Sequence, residues 1–181
     1  DRFVTPEAVM VYSGNGFADM SNTFHKLYRT RLCRGKWRDK ERPILINNWE
    51  ATYFDFNKNK LLSIADKAAE AGIELFVLDD GWFGNRNNDR SSLGDWYENK
   101  EKLGGSLAEL AGDINDRGLM FGLWVEPEMV SPDSELYRKH PEWAIKVPGV
   151  APHLSRHQLV LDYTRKDVRD HIVDRLASIF G

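Results

Sequence analysis

Asp79-Asp80-Gly81-Trp82 is the sharpest chemical feature of the chain. Two carboxylates side by side offer paired acceptors, and vicinal hydroxyls, as on a sugar ring, would satisfy both at once. Adjacent residues of extended chain point to opposite sides, so this grip requires a bent strand end. The same four residues also read as a turn, in which Asp79 accepts from backbone amides. The theme recurs at Trp124-Val125-Glu126-Pro127-Glu128-Met129, where Trp124 either walls a pocket with its indole or fills the core. Asp79, Asp80, Glu126 and Glu128 also have the oxygen chemistry that suits Mg²⁺ or Mn²⁺. The five histidines show no metal-ligand spacing, and no metal site is expected. Arg156 is either a surface charge or a clamp for hydroxyls and carboxylates. No serine sits in a nucleophile elbow, and Cys33 lies outside the strand-helix region. A glycosidase needs two carboxylates facing each other, about 5–5.5 Å apart for retention or 6.5–9.5 Å for inversion. Spacing alone does not choose among the four acids.

The elements that carry these groups follow from hydrophobic periodicity. Ile44 to Asn47, Leu75 to Leu78 and Leu119 to Val125 are short apolar runs that read as buried strands. Between the first two, Leu61, Leu62, Ala65, Ala68 and Ala69 form a helical stripe closed by Gly72. Between the second and third, Ser106 and Glu109 fit a capping box before Leu107, Leu110, Ala111 and Ile114, and Gly118 ends that helix. Gly72 and Gly118 sit at the same point of a weak repeat. Eight residues on from each come Asp80 and Glu126, both just past strand C-termini. A long polar loop with Gly84, Asn85, Asn87, Asn88, Ser91 and Ser92 follows the second strand. Leu159 to Leu161 reads as a fourth short strand or an extended approach, and a last helix opens at Thr164 to Asp167. Apolar strands separated by helices imply a parallel sheet covered by helices, in a (β/α) barrel or a doubly wound sheet. The absence of a glycine fingerprint after any strand favours the barrel. Residues 1–41 hold one amphipathic helix, with Phe17, Met20, Phe24, Leu27 and Tyr28 on one face, and a charged connector.

The chain has 181 residues with a formal charge of −3, and neither sign forms a long block. A nucleic-acid partner is therefore not expected, since phosphate binding calls for a basic stripe. No apolar run approaches the roughly 18 residues of a membrane helix, so no membrane partner is expected either. One cysteine and no signal-peptide pattern make a reducing, cytoplasmic location the expectation. Six tryptophans, at 37, 49, 82, 96, 124 and 143, are many for this length, and their flat faces suit cores and sugar rings alike.

Several long strings, in order, carry a resemblance. Pro43-Ile44-Leu45-Ile46-Asn47-Asn48-Trp49-Glu50-Ala51-Thr52-Tyr53-Phe54-Asp55 comes first, then Leu78-Asp79-Asp80-Gly81-Trp82-Phe83-Gly84. Ser92-Leu93-Gly94-Asp95-Trp96 and Gly122-Leu123-Trp124-Val125-Glu126-Pro127-Glu128-Met129 complete the set. Together these strings resemble bacterial α-galactosidases of glycoside hydrolase family 36, over nearly the whole chain. The resemblance implies a (β/α)₈ TIM barrel preceded by a β-sandwich domain. Residues 1–41 would then be the end of the preceding domain and a connector. Residues 42–181 would be the N-terminal part of the barrel, about three strand-helix units. It further implies hydrolysis of terminal α-galactosyl groups, as in melibiose and raffinose, with retention through a glycosyl-enzyme. No cofactor is implied, and the full-length protein is expected to be a homo-oligomer. Asp79 and Asp80 would grip the galactose hydroxyls, with Trp124, Arg156 and, by position, Trp49 lining the same subsite. Trp82, also at a strand end, is expected beside the sugar. The family's nucleophile lies in a Lys-Trp-Asp-Met-Asn-Arg string absent from this sequence, so nucleophile and acid/base are expected beyond Gly181 and the 181 residues alone are expected to be inactive. The alternative is a non-catalytic half-barrel that binds sugar or self-associates.

Overall fold

The computed structural model describes residues 2 and 4–180. It separates into two compact units, residues 1–42 and 43–181. In the first, helix α1 (Phe17–Leu27) continues as a wider turn through Leu32. None of its residues is buried, although the expected apolar stripe is present and Phe24 stacks on Tyr28 at 5.9 Å.

The second unit is mixed α/β. Strand β1 (Leu45–Asn47) leads through the single turn α2 (Trp49–Thr52) and helix α3 (Lys58–Glu70) to β2 (Leu75–Leu78). The short α4 (Lys100–Leu103) and α5 (Leu107–Asn115) precede β3 (Met120–Leu123). The three strands form one sheet in the order β1-β2-β3, parallel throughout, as the intervening helices require. Helix starts follow the polar residues before them. The Asn57 side chain accepts from Lys60 N at 3.0 Å, and Ser106 and Glu109 form a reciprocal capping box. Gly72 and Gly118 end their helices at φ 80° and 81°, the left-handed conformation glycine adopts without strain. Phe76 and Leu78 of β2 are buried in one core with Leu61 and Ala65 of α3 and Leu110 and Ile114 of α5.

Three features differ from the sequence expectation. Leu159 and Val160 form strand β5, but it pairs antiparallel with β4 (Met129–Val130) and does not extend the parallel sheet. Helix α6 (Glu135–Lys139) lies between the two in sequence, and α7 (Lys166–Phe180) follows them. The Gly72 and Gly118 repeat also slips by one against the sheet. The register ends at Leu78 opposite Leu123, so Asp79 and Trp124 are the next residues on each strand, and Glu126 lies further along. The third difference is the polar loop after β2, whose two ends turn into the interior while residues 87–90 stay exposed. Trp82, Phe83, Leu93 and Trp96 are buried there together with Arg86, Ser92 and Asp95. Ser92 N donates to Asp133 O at 2.6 Å, and Asp95 accepts from Glu135 N and Leu136 N at the start of α6. The loop is thus stitched to the chain that follows β4. Burial pushes the Asp95 carboxyl up, against those two backbone bonds.

Candidate ligand-binding site at the strand ends

The C-terminal ends of β1, β2 and β3 present Asn47-Asn48-Trp49, Asp79-Asp80 and Trp124-Val125-Glu126 side by side. Asp79 is half-buried and held by its neighbours on the sheet. Asn47 Nδ2 donates to Asp79 Oδ2, and Asp79 N donates to Asn48 Oδ1 at 2.8 Å. Asp80 N donates to Asp79 Oδ1 at 2.7 Å, the turn contact that the sequence allowed.

Asp80 has a different environment. Arg86, whose side chain is 0% exposed, donates from Nε to both carboxylate oxygens at 3.0 and 3.1 Å. Its Nη2 donates to Oδ2 at 2.8 Å and its Nη1 to Ser91 O at 2.9 Å. The Asp80 side chain is only 7% exposed. The two carboxylates therefore have different side-chain partners, Asn47 for Asp79 and the arginine fork for Asp80. Beside Asp80, Lys102 lies 4.2 Å from the centre of the Phe56 ring. Burial lowers its ammonium to about 8, although Asp80 and Asp55 oppose the shift.

Gly81 makes the corner possible. At φ +104°, a Cβ would lie 3.1 Å from Phe54 and 3.3 Å from the Arg86 carbonyl. The turn sends Trp82 inward, where it is fully buried and donates from Nε1 to Trp124 O at 2.9 Å. Trp82 is thus a core residue, and the expectation that it flanks a sugar is corrected. Trp124 itself is half-buried, with Phe83 stacked beside it at 6.5 Å. Trp49 is half-buried, packs edge-on against Tyr53 and Phe54, and donates its backbone N–H to Asn47 Oδ1 at 2.7 Å. It therefore joins the Asp79 network through Asn47.

Arg156 meets the site at Glu126 and not at the aspartates, with Nη1 donating to Oε1 at 3.2 Å. The arginine side chain is 68% exposed and the glutamate 13%. Burial raises the Glu126 carboxyl, while Arg156 pulls it down. Arg156 and His157 are the central residues of a tight turn, both at positive φ (52° and 60°), closed by Gln158 N donating to Ser155 O at 2.9 Å. Two consecutive non-glycine residues in that region are strained, and here the strain presents a guanidinium to the strand ends.

Five of the six residues named at this site from sequence stand at strand ends or reach one through Glu126; Trp82 does not. Sequence reasoning passed over Asn47, Asn48 and Arg86. The asparagines carried a signal, since they end an apolar run where function collects in such sheets. Arg86 carried none. Chemically the arrangement accepts hydroxyl hydrogens at carboxylates, donates from a guanidinium, and offers indole faces. Among the described residues, no group of three or more His, Cys, Asp or Glu side chains is arranged to hold a metal ion.

The chain is similar to known proteins over its whole length. The chain is 62% identical over all 181 residues to the α-galactosidase AgaA of Geobacillus stearothermophilus, of which it covers 25%. It is 49% identical over 179 residues to the bifunctional α-galactosidase/sucrose kinase AgaSK of Mediterraneibacter gnavus, covering 99% of this chain and 19% of that one. A crystal structure of a variant of the GH36 enzyme AgaA in complex with raffinose superposes with a TM-score of 0.90 at 61% identity, over 94% of this chain and 24% of that one. The 181 residues thus span about a quarter or less of the length of these relatives. With the melibiase profile matched from residue 2 to residue 181, over elements that superpose this closely, the chain belongs to the melibiase family.

Proposed function

We propose that this chain supplies the galactose-gripping wall of a retaining α-galactosidase, and that its three parallel strands are the first of a (β/α)₈ barrel. The observation that carries the reading is the placement of Asp79 and Asp80 at the end of the central strand, with Trp124 in register on the next one. In barrels of this class, function gathers at that end of the strands. Asp79 accepts hydroxyl hydrogens of the sugar, Trp124 and Trp49 border its apolar face, and Arg156 with Glu126 closes the far side. Substrates are terminal α-galactosides of the raffinose type, the kind of ligand present in the solved complexes of AgaA. The two carboxylates that cleave the bond belong to other strands of the barrel. The chain's own residues bind and orient the galactosyl group.

Grafting tests this. This chain, exchanged for the matching segment of full-length AgaA, is expected to give an enzyme that hydrolyses an aryl α-galactoside. Asp79→Asn in the graft is expected to lower kcat/KM by about a hundredfold or more, through lost contacts to the bound sugar. A folded graft with no hydrolysis, or one indifferent to Asp79→Asn, overturns the reading.

A further inference from the structure

Asp80 poses a problem for a simple two-carboxylate grip. Its side chain is 93% withdrawn from solvent, and three of the four hydrogen-bond distances that Arg86 makes end on its two oxygens. A carboxylate has about four acceptor positions. Oδ2 takes two of the three contacts and Oδ1 takes one, so Oδ1 keeps an acceptor position for one further donor. Arg86 is itself over-determined. Its Nη1 is anchored on the Ser91 carbonyl, its guanidinium lies 5.7 Å from the Phe54 ring centre, and its own carbonyl faces Lys102 Nζ at 3.4 Å.

We propose that Arg86 is a positioning residue for galactoside binding, acting through Asp80: its planar fork fixes the carboxylate so that the remaining Oδ1 position meets one sugar hydroxyl. The inference rests on the pocket reading above. A guanidinium suits this role because it holds a carboxylate in plane by two parallel bonds, which a lysine ammonium does not. It also compensates a charge that burial would otherwise make costly. Arg86 touches no substrate. It determines how sharply Asp80 is aimed.

The grafted full-length enzyme is again the test, with Arg86→Ala and Arg86→Lys compared with Asp79→Asn. The readouts are KM and kcat for an aryl α-galactoside and the Kd of 1-deoxygalactonojirimycin. Arg86→Ala is expected to raise KM and Kd about tenfold or more. Free guanidinium ion, added to the Arg86→Ala protein, is expected to recover a large part of the loss because it refills the vacated site beside Asp80. Arg86→Lys is expected to fall between wild type and Arg86→Ala, since it keeps the charge and loses the fork. A normal KM and Kd in Arg86→Ala, beside a crippled Asp79→Asn, overturns the role of Arg86 and leaves the pocket reading standing. Normal values in Asp79→Asn as well overturn the pocket reading itself. A loss that guanidinium does not relieve and that Arg86→Lys shares in full, or failure of both variants to fold, puts the arginine in the service of the fold and overturns the proposal.

Discussion

The indole N–H of Trp82 donates to the backbone carbonyl of Trp124 at 2.9 Å, tying the residue that follows the β2 corner to the end of β3. Because Trp82 is fully buried, no water replaces its bond. Trp82→Phe is expected to cost about 2–4 kcal/mol, combining a lost buried hydrogen bond with a small cavity. Trp124→Phe keeps the carbonyl and is expected to cost less. Urea unfolding of the two variants checks the order, and equal costs would contradict it.

Gly81 holds the aspartate corner at a backbone angle that side chains resist. Gly81→Ala is expected to destabilise by about 1–3 kcal/mol, because strain adds to the crowding against Phe54 and the Arg86 carbonyl. Thermal unfolding measures it; a neutral substitution would mean that the corner relaxes freely.

These positions show what was legible in the sequence. Strands β2 and β3 were readable because each is an apolar run between a helix-ending glycine, Gly72 or Gly118, and a polar stop, and β1 because its apolar run follows Pro43. Asp79 and Asp80 were readable because they follow such a run, and Trp124 because it stands near the end of one. Trp82 follows one too, yet a single glycine at φ +104° reverses its direction, and that angle leaves no trace in hydrophobic pattern. Arg86 lay in a stretch of Gly, Asn and Ser that reads as solvated loop. Its burial depends on meeting Asp80 and Ser91 in space, which is a tertiary fact. Likewise β5 shows the right residues for a strand, but its partner β4 is only two residues long and carries no periodic signal.

Stability in alkali is expected to rise and then fall. Lys102 holds its proton less tightly folded, at about 8, than at its ordinary 10.5. Between those values the unfolded chain binds more protons, so stability increases with pH. Burial, with Asp95 and Glu135 nearby, raises the Tyr97 phenol to about 12 from 10.0. There the folded chain keeps its proton longer, and stability drops from pH 10 upward. Lys102→Met is expected to remove the rise and Tyr97→Phe to soften the fall, each read from unfolding midpoints across the alkaline range.

The Arg156-His157 turn is expected to be improvable. His157→Gly relieves a left-handed residue and is expected to stabilise by about 0.5–1 kcal/mol. The same change is expected to loosen the hold of Arg156 on Glu126. A fall in the unfolding midpoint would show that the His157 side chain contributes more than its backbone strain costs.

Two ion pairs staple α3 to α5 and to the turn that follows it, Lys58 to Asp113 at 2.5 Å and Asp66 to Arg117 at 2.6 Å. All four side chains are partly exposed, so a double-mutant cycle on either pair is expected to give only about 0.5 kcal/mol of coupling. Roughly 1 M salt should erase it. A coupling that survives salt would indicate a dry contact.

The inward-folded excursion between β2 and α4 also bears on where this scaffold accepts new sequence. Surface loops ordinarily tolerate peptide tags, fused domains and relocated termini. The second half of this one does not have the freedom such grafts need, because the main chain of Ser92 and Leu93 is bonded to Asp133 and Ser131, and a Cβ added at Gly94 would lie 3.0 Å from the Leu136 and Val130 side chains. Cuts and insertions belong instead between residues 147 and 153, where every residue is exposed, so a tag placed there leaves the aspartate corner undisturbed.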